Sequence, residues 1–223
     1  MTKFKQDSNG KGSLKDLQLL INQCPDLIYY NIIHTYLYFS KDKIVWLSPL
    51  KNDNFSEYND MSFIELLGLT PNFLLYQFWP TGGPHWDGLG ISKNKVFLLE
   101  AKANIPEIVT DPSRASNPTS NKLIQKSLLE VKSFLNIKND IDWSGKFYQY
   151  TNRIAHLYYL RVLNGIDAYL VNIYFLNDKD VNGPKTKEEW QSAITVMKKY
   201  LGVGKNKLSK YMLDVFIDVN EMK

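Results

Sequence analysis

The chain has 223 residues, of which 44% are hydrophobic and 22% charged, and a formal net charge of +4 at pH 7. This composition suits one domain with a sizeable core and excludes a largely disordered chain. The charge permits a nucleic-acid partner without singling one out. Cys24 is the single cysteine, which rules out an intrachain disulfide or a multi-cysteine metal cluster and fits a reducing, cytoplasmic compartment. Residues 1–12 are polar, unlike a secretory signal, and no apolar run reaches the length of a membrane span, so no membrane partner is expected.

Ser13 can cap a first helix whose Leu14, Leu17, Ile21 and Cys24 share one side, with Pro25 closing or redirecting it. Residues 26–39 lean toward helix, and 44–47 read as a short strand. Ser56 precedes a helical pattern that stops at Gly68, with Glu57, Met61, Ile64 and Leu67 on one stripe, so that an acid heads an apolar face. Residues 73–80 are apolar and aromatic, with strand character.

A β-hairpin is expected next. Its first arm carries Asp87, its turn lies at 92–94, and its second arm is apolar from Val96 to Leu99 before ending in Glu100-Ala101-Lys102. Because side chains alternate along a strand, Glu100 and Lys102 share a face while Ala101 points to the other, and pairing of the arms puts Asp87 beside Glu100. Two carboxylates and an ammonium at the edge of an apolar sheet suit a hard divalent cation and an activated water.

Beyond an irregular stretch, residues 118–135 read as a helix with Ile124, Leu128, Val131 and Leu135 inward. A turn at 143–145 leads to a helix over 147–163 with Gln149, Asn152, Arg153 and His156 on one stripe, ended by Gly165. Residues 166–176 look like a strand covered on both faces, apolar except for Asp167 and Asn172. Thr186 and Glu189 form a capping box for a last helix with Trp190, Ile194, Met197 and Leu201 inward and Gly202 as its stop, and 211–219 alternates as a final edge strand. The order hairpin, helix, buried strand implies an α/β fold with a central mixed sheet flanked by helices.

Asp87, twelve intervening residues, then Glu100-Ala101-Lys102 resembles the signature of the PD-(D/E)XK nuclease superfamily. The runs Phe78-Trp79-Pro80, Gly83-Pro84-His85-Trp86-Asp87, Leu99-Glu100-Ala101-Lys102 and Tyr148-Gln149-Tyr150-Thr151-Asn152-Arg153 resemble a group of uncharacterised bacterial members. The resemblance implies a restriction-endonuclease-like core over about 56–176, within a single domain of 1–223 that carries an N-terminal helical addition (1–55) and a C-terminal helix-strand addition (177–223). It implies Mg²⁺ or Mn²⁺ held by Asp87, Glu100 and the Ala101 carbonyl, with Lys102 serving the attacking water. It makes Glu57 and Gln149 assisting catalytic residues and Arg153, Asn152 and His85 substrate contacts. An extra loop and helix between the motif strand and the Gln149 helix, and the position of Pro84 three residues before Asp87, depart from the common pattern.

The implied activity is hydrolysis of phosphodiester bonds in DNA. A catalytically inactive module of the same fold that binds nucleic acid or a protein, and a site for a small phosphate-bearing ligand, remain as alternatives, and the sequence leaves the oligomeric state open, a homodimer included. Glu57 can instead serve a helix N-terminus, and Gln149, Asn152 and Arg153 can satisfy groups inside the protein. His34 and His156 read as packing residues, and 202–205 as helix termination and not a phosphate loop.

Overall fold

The computed structural model describes residues 3–36 and 43–222. In chain order the main elements are β1 (Lys3–Phe4), α1 (Ser13–Gln23), α2 (Pro25–Thr35), β2 (Val45–Ser48), β3 (Glu57–Tyr58), α3 (Asp60–Leu66), α4 (Leu75–Phe78), β4 (Gly88–Ser92), β5 (Lys95–Lys102), α5 (Pro118–Phe134), α6 (Tyr148–Tyr158), β6 (Asp167–Leu176), α7 (Lys187–Leu201) and β7 (Met212–Asp218). A five-stranded mixed sheet has the order β2-β4-β5-β6-β7, and β1 pairs with β3 in a separate two-stranded sheet. The hairpin β4–β5 and the β2–β4 pair are antiparallel, whereas β5–β6 and β6–β7 are parallel. The fold is therefore α/β, and its outer strands β2 and β7 come from the segments flanking residues 56–176.

Parity along the strands divides the core. Val96 and Leu98 of β5 and Ala168 and Leu170 of β6 face a core shared with α3, α5, α6 and α7. Phe97, Leu99 and Ala101, with Tyr169, Val171, Ile173 and Phe175, face a second core covered by α1 and α2. Both faces of β6 are covered, as its near-continuous apolar run requires. Glu100, Asn172 and Asp214 lie opposite one another on successive strands and form a polar row on the α6 side of the sheet.

Local signals explain most element ends. The Thr186 hydroxyl and Glu189 carboxylate make the expected capping box, Gly202 leaves α7 at φ 74°, and Trp190, Ile194, Met197 and Leu201 are buried. Pro25 redirects the chain by opening α2, and Gly12, not Ser13, precedes α1. The helix expected over 26–39 ends at Thr35; residues 37–39 lie outside the described ones.

Three further expectations need correction. Glu57 is not helical: residues 57–58 pair with β1, and α3 starts at Asp60 because the Ser62 hydroxyl accepts from the Asn59 N–H and closes the first turn there. Residues 73–80 contain the short helix α4 and no strand, since the residues they bury, Leu75, Phe78 and Trp79, follow helical spacing while Tyr76 is exposed. The helix over 147–163 is α only through Tyr158 and ends in a π-helical turn, 159–163.

Gly90 lets β2 approach β4, because a Cβ there would stand 2.6 Å from the Trp46 ring. Gly90→Ala should therefore destabilise the fold by about 1–3 kcal/mol through overpacking, read as a lower urea midpoint.

Candidate active site

The hairpin register fixes the first contact. Gly88 pairs with Leu99, so Asp87, one residue before β4, comes opposite the end of β5, and its Oδ2 accepts the Ala101 N–H at 2.7 Å. Since the N–H and C=O of one strand residue point to the same side, the Ala101 carbonyl also faces this edge, where β4 has ended. Ala101's methyl group lies in the second core, while Glu100 and Lys102 project to the α6 side.

Glu100 is 5% exposed and held by two cations. Its Oε1 pairs with Lys102 and its Oε2 accepts from Arg153 Nε at 2.7 Å. Arg153, 3% exposed, spends its other donors on the Asn152 side chain (3.1 Å) and the His85 carbonyl (2.6 Å), and its guanidinium lies 4.7 Å from the Trp86 ring centre. The substrate contact expected of Arg153 is thus an internal clamp: α6 docks its cation against the carboxylate of β5.

A cleft of about 860 Å³ opens over this cluster and is lined by Asp87, Glu57, His85, Gln149, Asn152 and Arg153, with residues 109–117 along another wall. Glu100 and Lys102 lie behind Arg153 and line a small cavity of about 20 Å³ with Gln149 and Asn172. All the expected site residues therefore meet in one region, around two adjoining cavities that share Arg153 and Gln149 in their walls. Glu57 reaches it from β3, with His85 Nδ1 3.8 Å from its Oε2. The Asn59 side-chain amide lies 3.3 Å from His85 Nε2 and anchors the ring on that side. Asp60 accepts from the Gly82 and Gly83 N–H groups at 2.9 Å each and so holds the turn that delivers residues 84–87.

The electrostatics follow from three carboxylates facing two cations. Burial, and then the Glu100 charge, push the Asp87 carboxyl from the ordinary 3.8 up to about 8. Burial likewise raises Glu57 to about 6. Burial opposes ionisation of Glu100, but Arg153 and Lys102 outweigh it and hold that carboxyl below its usual range. Burial opposes the Lys102 ammonium, yet Glu100 and Asp87 keep its pKa above the usual value. Burial and Arg153 lower His85. Near neutral pH the cluster thus carries a proton on Asp87, a charged Lys102 and a neutral His85.

Asp87 and the Ala101 carbonyl offer oxygen to a hard cation at the open edge, and Glu100 offers more only by exchanging one of its cationic partners. Among the described residues, no three His, Cys, Asp or Glu side chains form a ready-made cage. His156 is a packing residue, as expected: it lies against Phe63, Trp79 and Trp86, and burial lowers its pKa to about 3. His34, expected to pack, is instead exposed on α2, its ring tilted against that of the exposed Tyr30.

Several contributors were not singled out from sequence. Asn172, which continues the Glu100 row and donates to Asp214 at 3.0 Å, was visible only as the lone polar residue in the middle of a buried strand. Asp60 gave no periodic signal, and Trp86 stood out only as a member of the 83–87 run. No helix is long and apolar enough to cross a membrane, among the described residues. No family model, curated protein or solved structure matches the chain.

Removing one partner of a buried ion pair strands the other. Arg153→Ala should cost about 3–5 kcal/mol in urea unfolding, and the added cost should shrink when Glu100→Gln is already present, giving a clear coupling energy in the double-mutant cycle. Asp87 predicts a pH effect in chelator. Between pH 4 and 8 the unfolded chain releases this proton while the folded chain keeps it, so the contribution of Asp87 to stability falls through that window. The melting temperature of Asp87→Asn should gain on wild type from about pH 4 to about pH 8 and then hold its lead.

Proposed function

We propose that the chain is a divalent-cation-dependent nuclease of the PD-(D/E)XK type that hydrolyses phosphodiester bonds in DNA. The observation that carries this reading is the hairpin register, which sets Asp87 against the Glu100-Ala101-Lys102 end of β5 beneath a large cleft. Asp87, the Ala101 carbonyl and Glu100 would hold Mg²⁺ or Mn²⁺. The surplus negative charge that leaves Asp87 protonated is what a divalent cation would neutralise. When bound, such a cation supplies acidity to water and a sink for phosphate charge.

The chain's own groups divide the remaining work. Lys102, paired with Glu100 in the small cavity beside the cleft, supplies positive charge next to the metal-holding carboxylates and does not act as a base. Glu57, with its pKa raised to about 6 and His85 beside it, is the cleft group suited to hold a proton near neutral pH. Gln149 and Asn152 present amides to the cleft wall. Arg153 positions Glu100 and the His85 backbone.

One observation favours a second reading. Both oxygens of Glu100 are engaged by internal cations, as in a nuclease-like module that has kept its scaffold and binds nucleic acid or a protein without cleaving it. Plasmid and single-stranded DNA, incubated with Mg²⁺ or Mn²⁺, should be nicked by the wild type and left intact by Asp87→Asn and Lys102→Ala. Equal activity in all three proteins would overturn the nuclease reading. A lack of cleavage together with no calorimetric Mn²⁺ binding would favour the module. Where the cation binds, affinity should rise from pH 6 to pH 8 with release of the Asp87 proton.

A further inference from the structure

On the other face of the sheet, the link from β6 to α7 carries a second group of oxygens. Residues 178–183 read Asp-Lys-Asp-Val-Asn-Gly, and Glu189 is the twelfth residue counted from Asp178. Carboxylates at the first and third places, an amide at the fifth and glycine at the sixth are the spacing with which a short loop wraps Ca²⁺. Helix α7 leaves the loop at Lys187, the tenth place.

Spacing alone is weak, but a second observation is independent of it. Asp16 of α1 lies against Asp178, with the two residues 6% and 5% exposed and their carboxyls within hydrogen-bonding reach. The Oδ2 atom of each is buried and meets no donor. Burial, and then the Asp178 charge, push the Asp16 carboxyl from 3.8 up to about 8, so without a cation the pair keeps a proton near neutral pH, and a cation between the two carboxyls would take that proton's place. The loop is already closed around this point: Asp178 Oδ1 accepts the Asp180 N–H at 2.8 Å and the Asp178 carbonyl accepts the Gly183 N–H at 2.7 Å. Only glycine fits at 183, where a Cβ would stand 2.4 Å from the Ala103 carbonyl oxygen.

The folded loop departs from the full pattern at the twelfth and the third places. The Glu189 carboxylate accepts from the Lys185 and Thr186 N–H groups and is committed to the cap of α7. Asp16 stands in its stead as the second inward carboxylate, supplied by a different element. Asp180 is paired with Lys15 at 2.8 Å in an exposed contact of little energetic weight.

We propose that Asp16 and Asp178, with further oxygens of the 178–184 loop, bind Ca²⁺ and thereby fasten the β6–α7 link to α1. A site of carboxylate and loop carbonyl oxygens in irregular geometry suits Ca²⁺ better than Mg²⁺, which demands octahedral geometry and keeps more of its water. This site is separate from the cleft, whose residues project from the opposite face of β5.

The test uses full-length, chelator-stripped protein carrying Asp87→Asn, so that cation binding in the cleft does not enter the reading. Ca²⁺ followed by calorimetry should bind with one-to-one stoichiometry, and at about ten times Kd the melting temperature should rise by about 3–6 °C. Adding Asp16→Asn or Asp178→Asn should each weaken binding at least tenfold, with far-UV circular dichroism showing which variants fold; Asp16→Asn, which leaves the loop intact, decides if Asp178→Asn does not. No response to Ca²⁺ up to about 10 mM, or unchanged affinity in the folded variants, overturns the proposal. An absent Ca²⁺ response combined with a higher melting temperature for Asp16→Asn at neutral pH identifies a proton shared by the two carboxyls and overturns it as well.

Discussion

The ion pair between Glu100 and Arg153 joins the sheet to the helix on which the cleft is built. A carboxylate at the end of a buried strand is costly unless its charge is matched, and here both of its oxygens are matched, by Lys102 from the same strand and Arg153 from α6. That requirement fixes how α6 lies on β5. It also fixes the backbone before Asp87, because the same guanidinium holds the His85 carbonyl and covers the Trp86 ring. The position of Asp87 thus depends on a cation it does not itself bind.

The polar row continues from Glu100 through Asn172 to Asp214, where Lys198 of α7 closes it at 2.5 Å. Hydrophobic burial could place these strands and helices in several neighbouring registers, since it is non-directional. Charged and amide groups that must meet specific partners reduce the choice. Parallel pairing of β5 with β6 and of β6 with β7 sets Glu100, Asn172 and Asp214 in one row, in which Asn172 donates to Asp214 and Glu100 meets Arg153. The same economy sets the cluster's protonation: three carboxylates against two cations leave one charge in excess, and Asp87, the most weakly compensated, retains a proton to about pH 8.

The two sides of the sheet carry different chemistry because alternation along β5 separates them. One side bears Glu100 and Lys102 behind a cleft; the other bears Ala101 in an apolar layer that ends near Asp16 and Asp178. The strand ends where helices and loops converge, so both groups of carboxylates collect at the same end of the sheet, as polar backbone left unpaired at strand ends also does. Gly183, packed against the Ala103 carbonyl just past β5, shows how closely the β6–α7 link approaches that end.

The sequence by itself determined the hairpin, the buried strand β6, the α7 helix with its capping box and the α5 stripe, because each rests on interactions within a few residues or on an unambiguous period. It also determined that Asp87 and Glu100 would be neighbours, which needs only alternation and a short turn. Tertiary structure decided the rest. Glu57 sits on a strand because β1, more than fifty residues earlier, pairs with it. The 73–80 segment is helical because Leu75, Phe78 and Trp79 are drawn into one core. Arg153 faces inward because a buried carboxylate requires it. The meeting of Asp16 with Asp178 spans the chain, and no local pattern encodes it. These outcomes depend on which distant charge or apolar face is available, and a single stretch of sequence does not contain that information.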